Sequence, residues 1–299
     1  MHSFLLFCKS YSGDLRRVQR LWQSVQRHNC EKILFYVSVP KADRSLFEQA
    51  MGNPEGLIWV NDEDFVRANA NASLENYRLW DGRLSQQVIK SEFWRLTGCD
   101  SYLCIDSDSE FIRDFYRRDF LDAQGNPYTV MSQSKELLQL AANKGITKVI
   151  DNFHRECSMM KSVFDRIGPD YDFAPTPVIW SARVWRDLDE YYLKPKGITL
   201  WDAIRERPSE LRWYGEALLQ FKSIPLMPIE PLFRCYHYNW QWHTLRRQGE
   251  SIETLQREYM GVVYQSNWQY ELDHDSHVQR KSIASRMARF IRSKLARLR

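Results

Sequence analysis

Tyr102-Leu103-Cys104-Ile105-Asp106-Ser107-Asp108-Ser109-Glu110 is the stretch that decides how this chain is read. Four apolar residues in a row, Tyr102 to Ile105, predict a strand buried on both faces, and the run breaks into acid at Asp106. Ligands of open α/β sheets bind beyond the carboxyl ends of the strands, so two carboxylates at such an end sit where a ligand sits. Placed two residues apart, they can turn together toward one hard cation that also holds phosphate oxygens. A calcium loop of the EF-hand type is excluded: counted from Asp106, its required Gly and Glu positions hold Phe111 and Arg117. An acidic turn capping the next segment is the bland alternative.

Outward from this stretch, the first hundred residues alternate apolar strands with amphipathic helices. Residues 3–8 form a strand, and Leu15, Val18, Leu21, Trp22 and Val25 then recur at helical spacing. Residues 32–39 alternate as a strand that Pro40 stops, a short helix follows near 45–51, and 57–60 form a third strand. Leu84, Val88, Phe93 and Leu96 stripe one helix ending at Gly98, directly before the decisive strand. The pattern predicts an α/β fold with a mostly parallel sheet flanked by helices. Beyond residue 122 the regularity loosens. A turn at 123–128, helices at 135–143 and 150–167, and a loop at 168–177 stiffened by three prolines lead to a strand at Val178–Ser181. Helices at 183–193 and 209–222 precede an aromatic segment, 233–242, read as a strand and its exit.

Composition narrows the class. In 299 residues, 43% are hydrophobic and 27% charged, an ordinary globular balance. The net charge of +4 divides unevenly: residues 280–299 carry eight Lys or Arg and no acid, leaving −4 on the rest. A slightly acidic body excludes a protein built around a nucleic-acid groove. Six scattered cysteines without a C-x-x-C pair read as reduced packing residues, and no apolar run approaches the ~18 residues of a membrane span.

The order of elements, with Gln86-Gln87-Val88-Ile89-Lys90 before the acidic pair and Ser209-Glu210-Leu211-Arg212-Trp213-Tyr214-Gly215 after it, resembles the nucleotide-diphospho-sugar glycosyltransferases of the GT-A fold. Within them it is similar to a bacterial polysaccharide and lipopolysaccharide family with a Q-Q-x-x-K helix, a D-x-D, an S-E-x-x-x-Y-G segment and a late His. The resemblance spans residues 3–240. It implies a GT-A-like, Rossmann-type sheet and metal-dependent transfer from a nucleotide sugar, a UDP-sugar in the first instance. The acceptor it implies is a cell-surface polysaccharide such as O-antigen, or a lipid-linked glycan. Mn²⁺ or Mg²⁺ would be held by Asp106, Asp108 and His237, with His243 as fallback, and Asp106 could instead reach ribose or metal-bound water. Tyr11 and Ser12 would hold the base, and Gln86 and Lys90, one helical turn apart, would face the donor. Glu210, with Glu216 second, would act as the base of an inverting transfer. Six residues apart on a helix, the two face opposite sides, so at most one enters the site. The position of Arg212 is often acidic in the family, which leaves that choice open. Trp180, Trp213, Trp240 and Trp242 either stack on an acceptor sugar or pack in the core, and Asp62-Glu63-Asp64 reads as a solvated turn or helix cap.

These readings predict one glycosyltransferase domain over 1–270, with a nucleotide-binding half (1–122) and an acceptor-side half (123–270), followed by a linker and tail over 271–299. In the tail Ile283, Met287, Phe290, Ile291, Leu295 and Leu298 recur between basic residues, a basic amphipathic helix suited to an anionic membrane surface. The expected location is therefore cytoplasmic, peripheral on the inner face of the membrane. Two rival functions use the same residues: a haloacid-dehalogenase-type phosphatase with Asp106 as nucleophile, and a non-catalytic membrane- or carbohydrate-binding module.

Overall fold

The computed structural model describes residues 3–70, 72–266, 287 and 291. Strand β1 (Phe4–Lys9) leads through helix α1 (Leu15–His28) to β2 (Phe35–Val39), α2 (Arg44–Met51), β3 (Leu57–Asn61) and α3 (Asp62–Ala68). Three helices, α4 (Leu74–Leu79), α5 (Gly82–Ser91) and α6 (Phe93–Thr97), precede β4 (Ser101–Asp106), and β5 (Ser109–Phe111) follows two residues later. The second half holds β6 (Thr129–Val130), α7 (Lys135–Asn143), α8 (Thr147–Lys161), β7 (Val178–Ser181), α9 (Ala182–Leu188), α10 (Leu200–Glu206) and α11 (Glu210–Phe221). It closes with β8 (Pro228–Ile229), β9 (Phe233–Tyr236), α12 (Asn239–Arg247), α13 (Ile252–Leu255) and β10 (Gly261–Tyr264).

The main sheet runs β3-β2-β1-β4-β7, its first four strands parallel and β7 antiparallel to β4. Alternation along β4 divides the core. Tyr102 and Cys104 join the layer containing Phe93, Trp180, Trp201 and Trp213, while Leu103 and Ile105 join the layer under Val18, Leu21 and Val25 of α1. Trp180 and Trp213, two of the possible acceptor-stacking residues, are thus core residues only 1% and 2% exposed. A second sheet, β5-β10-β9, packs beside the acidic end of β4, with β10 antiparallel to β5 and parallel to β9. Only glycine fits at Gly261: a Cβ there would lie 2.2 Å from the Phe233 ring and 2.5 Å from the Glu110 carbonyl oxygen.

The sheet and its order agree with the α/β expectation, and the differences are local. The helix predicted across 84–96 is two helices. At Glu92 the backbone leaves helical geometry (φ −95°, ψ 0°), and its buried carboxylate accepts from Arg95 and Asn69. The segment read as 233–242 is a strand only to Tyr236, after which α12 begins. The sequence pattern does not mark strands β5, β6, β8 and β10 or helices α3, α4, α10, α12 and α13. The tail helix predicted over 280–299 lies outside the described residues except for Met287 and Ile291, both exposed.

Candidate active site

The chain moves from β1 outward through β2 to β3 and returns to lay β4 on the other side of β1, so the strand order reverses between β1 and β4. Loops at the carboxyl ends of those two strands diverge and leave a crevice. Lys9 is in register with Asp106, which brings Lys9-Ser10-Tyr11 and Asp106-Ser107-Asp108 to the two lips of a cleft of about 690 Å³. Tyr11, Gln86, Lys90, Asp106 and Asp108 all line it.

The two acidic residues differ in what holds them. Asp106 Oδ1 is 2.5 Å from Lys90 Nζ, and its Oδ2 accepts from Thr176 Oγ1 at 2.5 Å. Burial works to raise its pKa, but Lys90 and Thr176 outweigh burial and hold the carboxyl below the usual range. Asp108 Oδ2 accepts the Ser266 N–H at 2.8 Å, and its buried Oδ1 has no partner among the described residues. Burial, with the Asp106 charge added, pushes the Asp108 carboxyl up to about 7. A buried carboxylate oxygen without a partner is costly and exceptional, and its chemistry suits a hard cation. Mg²⁺-type sites commonly use one or two carboxylates plus substrate phosphates, so this donor set fits a cation completed by a ligand. Among the described residues no group of three His, Cys, Asp or Glu is close enough to hold a metal unaided.

The motif residues explain one another. Lys90 on α5 is buried and reaches both Asp106 and Glu210 Oε1, the latter at 3.5 Å. Burial opposes its charge, yet the two carboxylates keep the ammonium protonated. Gln87 Oε1 accepts the Glu210 N–H, tying α5 to the start of α11, where Ser209 caps the helix by accepting from Arg212 N. Burial raises the Glu210 carboxyl against the pull of Lys90. Tyr214 Oη accepts the Ser181 N–H, and Gly215 leaves room for Phe173, whose ring would lie 2.1 Å from a Cβ there. Phe173 belongs to the proline loop that delivers Thr176 to Asp106. Hence Q-Q-x-x-K and S-E-x-x-x-Y-G are two halves of a support for Asp106.

Other expected site residues are placed as follows. Glu210 stands behind Lys90 rather than lining the cleft. Glu216, on the opposite face of α11, forms a two-pronged pair with Arg166, Nε–Oε2 2.5 Å and Nη2–Oε1 2.8 Å. Ser12 donates its N–H to Asp43 Oδ2 at 2.7 Å, at the rim beside the half-exposed Tyr11. His237 follows β9, the strand beside β10, and lines a neighbouring cleft; among the described residues it forms no three-group metal cluster with Asp106 and Asp108. Burial lowers its pKa.

Several lining residues carried no sequence signal. Asp62 is buried, not solvated; Lys9 Nζ lies 2.8 Å from its Oδ2, while Ser38 Oγ and Tyr77 Oη donate to it. Only Asp64 of that acidic triplet acts in the helix cap of Asn61. Asp14, Asp43, Arg78, Asp81 and Arg83 complete the charged lining, and Gln265 and Ser266 close it from β10. Alternation of strands and helices hides such loop residues, because no periodicity marks them.

Comparison with solved structures places the fold. The WbbM bifunctional glycosyltransferase, apo form, superposes with a TM-score of 0.51 at 9% identity over 88% of this chain, which spans 46% of WbbM. Mouse xyloside xylosyltransferase 1, apo form, gives 0.48 at 7% identity (88% of this chain, 98% of that one). The galactosyltransferase LgtC with donor and acceptor sugar analogues gives 0.47 at 14% (89% and 90%). The architecture shared with WbbM is the GT-A-like α/β sheet. No curated protein matches the chain. A family model matches residues 5–278, nearly the whole chain, and the chain therefore belongs to the family of unknown function DUF6492.

Proposed function

We propose that this protein is a glycosyltransferase that binds a nucleotide-diphosphate sugar in the β1–β4 cleft with a divalent cation at Asp108, and passes the sugar to a glycan acceptor. The unpartnered Asp108 oxygen carries the reading. Charge supports it: six carboxylates line the cleft against four cationic side chains, a formal excess of −2 that would repel a diphosphate. One Mn²⁺ or Mg²⁺ offsets that excess. When bound, such a cation neutralises the charge that develops on the departing diphosphate as its bond to the sugar breaks.

The chain's own residues have separable roles in this reading. Tyr11 offers a ring face to the base, with Ser12 and Asp43 beside it. Arg78 and Arg83, exposed cations at the cleft mouth, meet the phosphates on entry. Lys90 and Thr176 hold Asp106 ionised and oriented, and Glu210 acts as a positioning residue that keeps Lys90 in place. With both its oxygens engaged, Asp106 is a poor attacking nucleophile, which argues against the phosphatase reading. The unit that transfers is proposed to end near residue 270, and the basic stretch 280–299 to rest on an anionic membrane surface, so that its deletion abolishes liposome binding but not donor hydrolysis.

The test is a thermal-shift panel of nucleoside diphosphates and nucleotide sugars, UDP-sugars first, with Mn²⁺ and with EDTA. Ligand at 100 times its Kd adds about 2.7 kcal/mol of stability. A shift that needs Mn²⁺ and vanishes in Asp108→Asn is expected; a shift indifferent to EDTA and to that substitution would overturn the cation's role, and no shift at all would overturn the reading.

A further inference from the structure

A second cleft, of about 380 Å³, opens beside the first and shares a wall with it. Pro175 lines it, while the next residue, Thr176, touches Asp106 in the first. On the other side Cys235 lines it, and Gln265, which lines the first cleft, donates to Cys235 Sγ at 4.0 Å. The Pro175–Thr176 peptide and the Gln265–Cys235 contact therefore both belong to the wall between the two.

The chemistry of the second cleft differs. Arg234, at its back, is fully committed: its guanidinium takes both oxygens of Glu136, at 2.5 and 2.8 Å, and Glu250 Oε2 at 2.8 and 3.0 Å. Against Lys135 and Arg234 stand Glu136 and Glu230, so the acidic and basic side chains of the lining balance. Gln133 and Glu230 make no side-chain hydrogen bond or ion pair with a described residue, and Tyr171 adds an aromatic ring, one face of which the Arg166 guanidinium covers. An amide that donates and accepts, a carboxylate that takes paired hydroxyls, and a ring for an apolar face suit an uncharged polyhydroxylated ring.

We infer that the second cleft binds a neutral saccharide, the acceptor, and presents its hydroxyl to the first cleft across the Thr176–Gln265 partition. The role as acceptor rests on the transferase reading; the saccharide chemistry does not. The experiment is a glycan array of neutral and acidic oligosaccharides, probed with the full chain and with the double variant Gln133→Ala/Glu230→Ala. Both substitutions are at the cleft lining and away from the core, and an unchanged melting temperature verifies the fold. Neutral glycans should bind, and the variant should bind them at least tenfold more weakly while keeping its Mn²⁺-dependent nucleotide shift. Equal binding by the variant, selectivity for sialylated or phosphorylated glycans, or no bound glycan overturns the inference. Variant-sensitive glycan binding without any nucleotide shift in the wild type instead overturns the transferase reading and leaves the saccharide site standing.

Discussion

The two clefts share a wall yet differ in how far their polar groups are buried and paired. The first lies at the ends of parallel strands, and most of its charged groups are committed in pairs: Lys90 with Asp106, Lys9 with Asp62, Arg83 with Asp81. Among the described residues, Asp108 Oδ1 is the carboxylate oxygen buried there without a partner, beside the equally unpartnered Ser10 hydroxyl. The second is lined by loops, the start of α7, β9 and α12; its buried Arg234 is paired with Glu136 and Glu250, while Gln133 and Glu230 have no partner among the described residues. Buried charge is costly unless paired, so the first cleft must spend side chains from distant elements to hold each carboxylate. Exposed polar groups stay hydrated and need no such support. The difference teaches where function is legible: a site that must bury charge leaves linked motifs across the sequence, and a site that recognises hydroxyls at the surface leaves none.

Lys90→Met attacks the first design most directly. It strands Asp106 and Glu210 together in a buried space and should cost about 4 kcal/mol of unfolding free energy, read by urea denaturation; adding Glu210→Gln should recover part of it. Gly215→Ala acts on the shared wall. In an ordinary helix the change stabilises, but here the new methyl meets Phe173, so a loss of about 3 kcal/mol is expected, with weaker binding in both clefts. An unchanged stability would mean that Phe173 moves aside freely.

Asp108→Asn separates the clefts. Sugar transfer should fall about 100-fold, the order of a lost transition-state charge partner, while glycan binding in the second cleft persists. Its stability effect has the opposite sign. The folded carboxyl sits near 7 and the unfolded one near 3.9, so the stability that a protonated Asp108 contributes is full below about pH 4 and lost as pH rises to 7. In EDTA the variant should therefore melt higher than wild type, by a margin that grows from pH 4 to 7. A margin independent of pH would show that the carboxyl is not the titrating group. Arg78→Ala is the mildest change: an exposed cation at the mouth is worth roughly 0.5 kcal/mol, seen as a raised donor KM with unaltered kcat, fading as salt increases.

The sheet was readable because burial imposes a pattern on every strand residue. β4 and β7 fall where apolar runs predict them, and helices 135–143 and 209–222 match α7 and α11 within a residue or so. Lys90, Gln87 and Glu210 were visible as motif letters, but their functions were not: that Lys90 joins Asp106 to Glu210 depends on a contact 120 residues apart in sequence. Asp62, Asp43 and Arg78 stayed hidden because a loop aspartate looks alike whether it is solvated or pinned by Lys9. His237 lines the neighbouring cleft, a placement that a late His in a motif does not by itself fix.

The grip of residues 264–266 on Asp108 has a temporal consequence. The Tyr264 N–H donates to the Asp108 carbonyl and the Ser266 N–H to its carboxylate, so the acidic loop takes its shape from chain made some 158 residues later. On the ribosome the parallel sheet can assemble early, but the site cannot. A nascent or truncated chain ending before Gly261 would carry all the acidic residues of the motif without the contacts that shape them, and would stay silent toward nucleotide until β10 emerges.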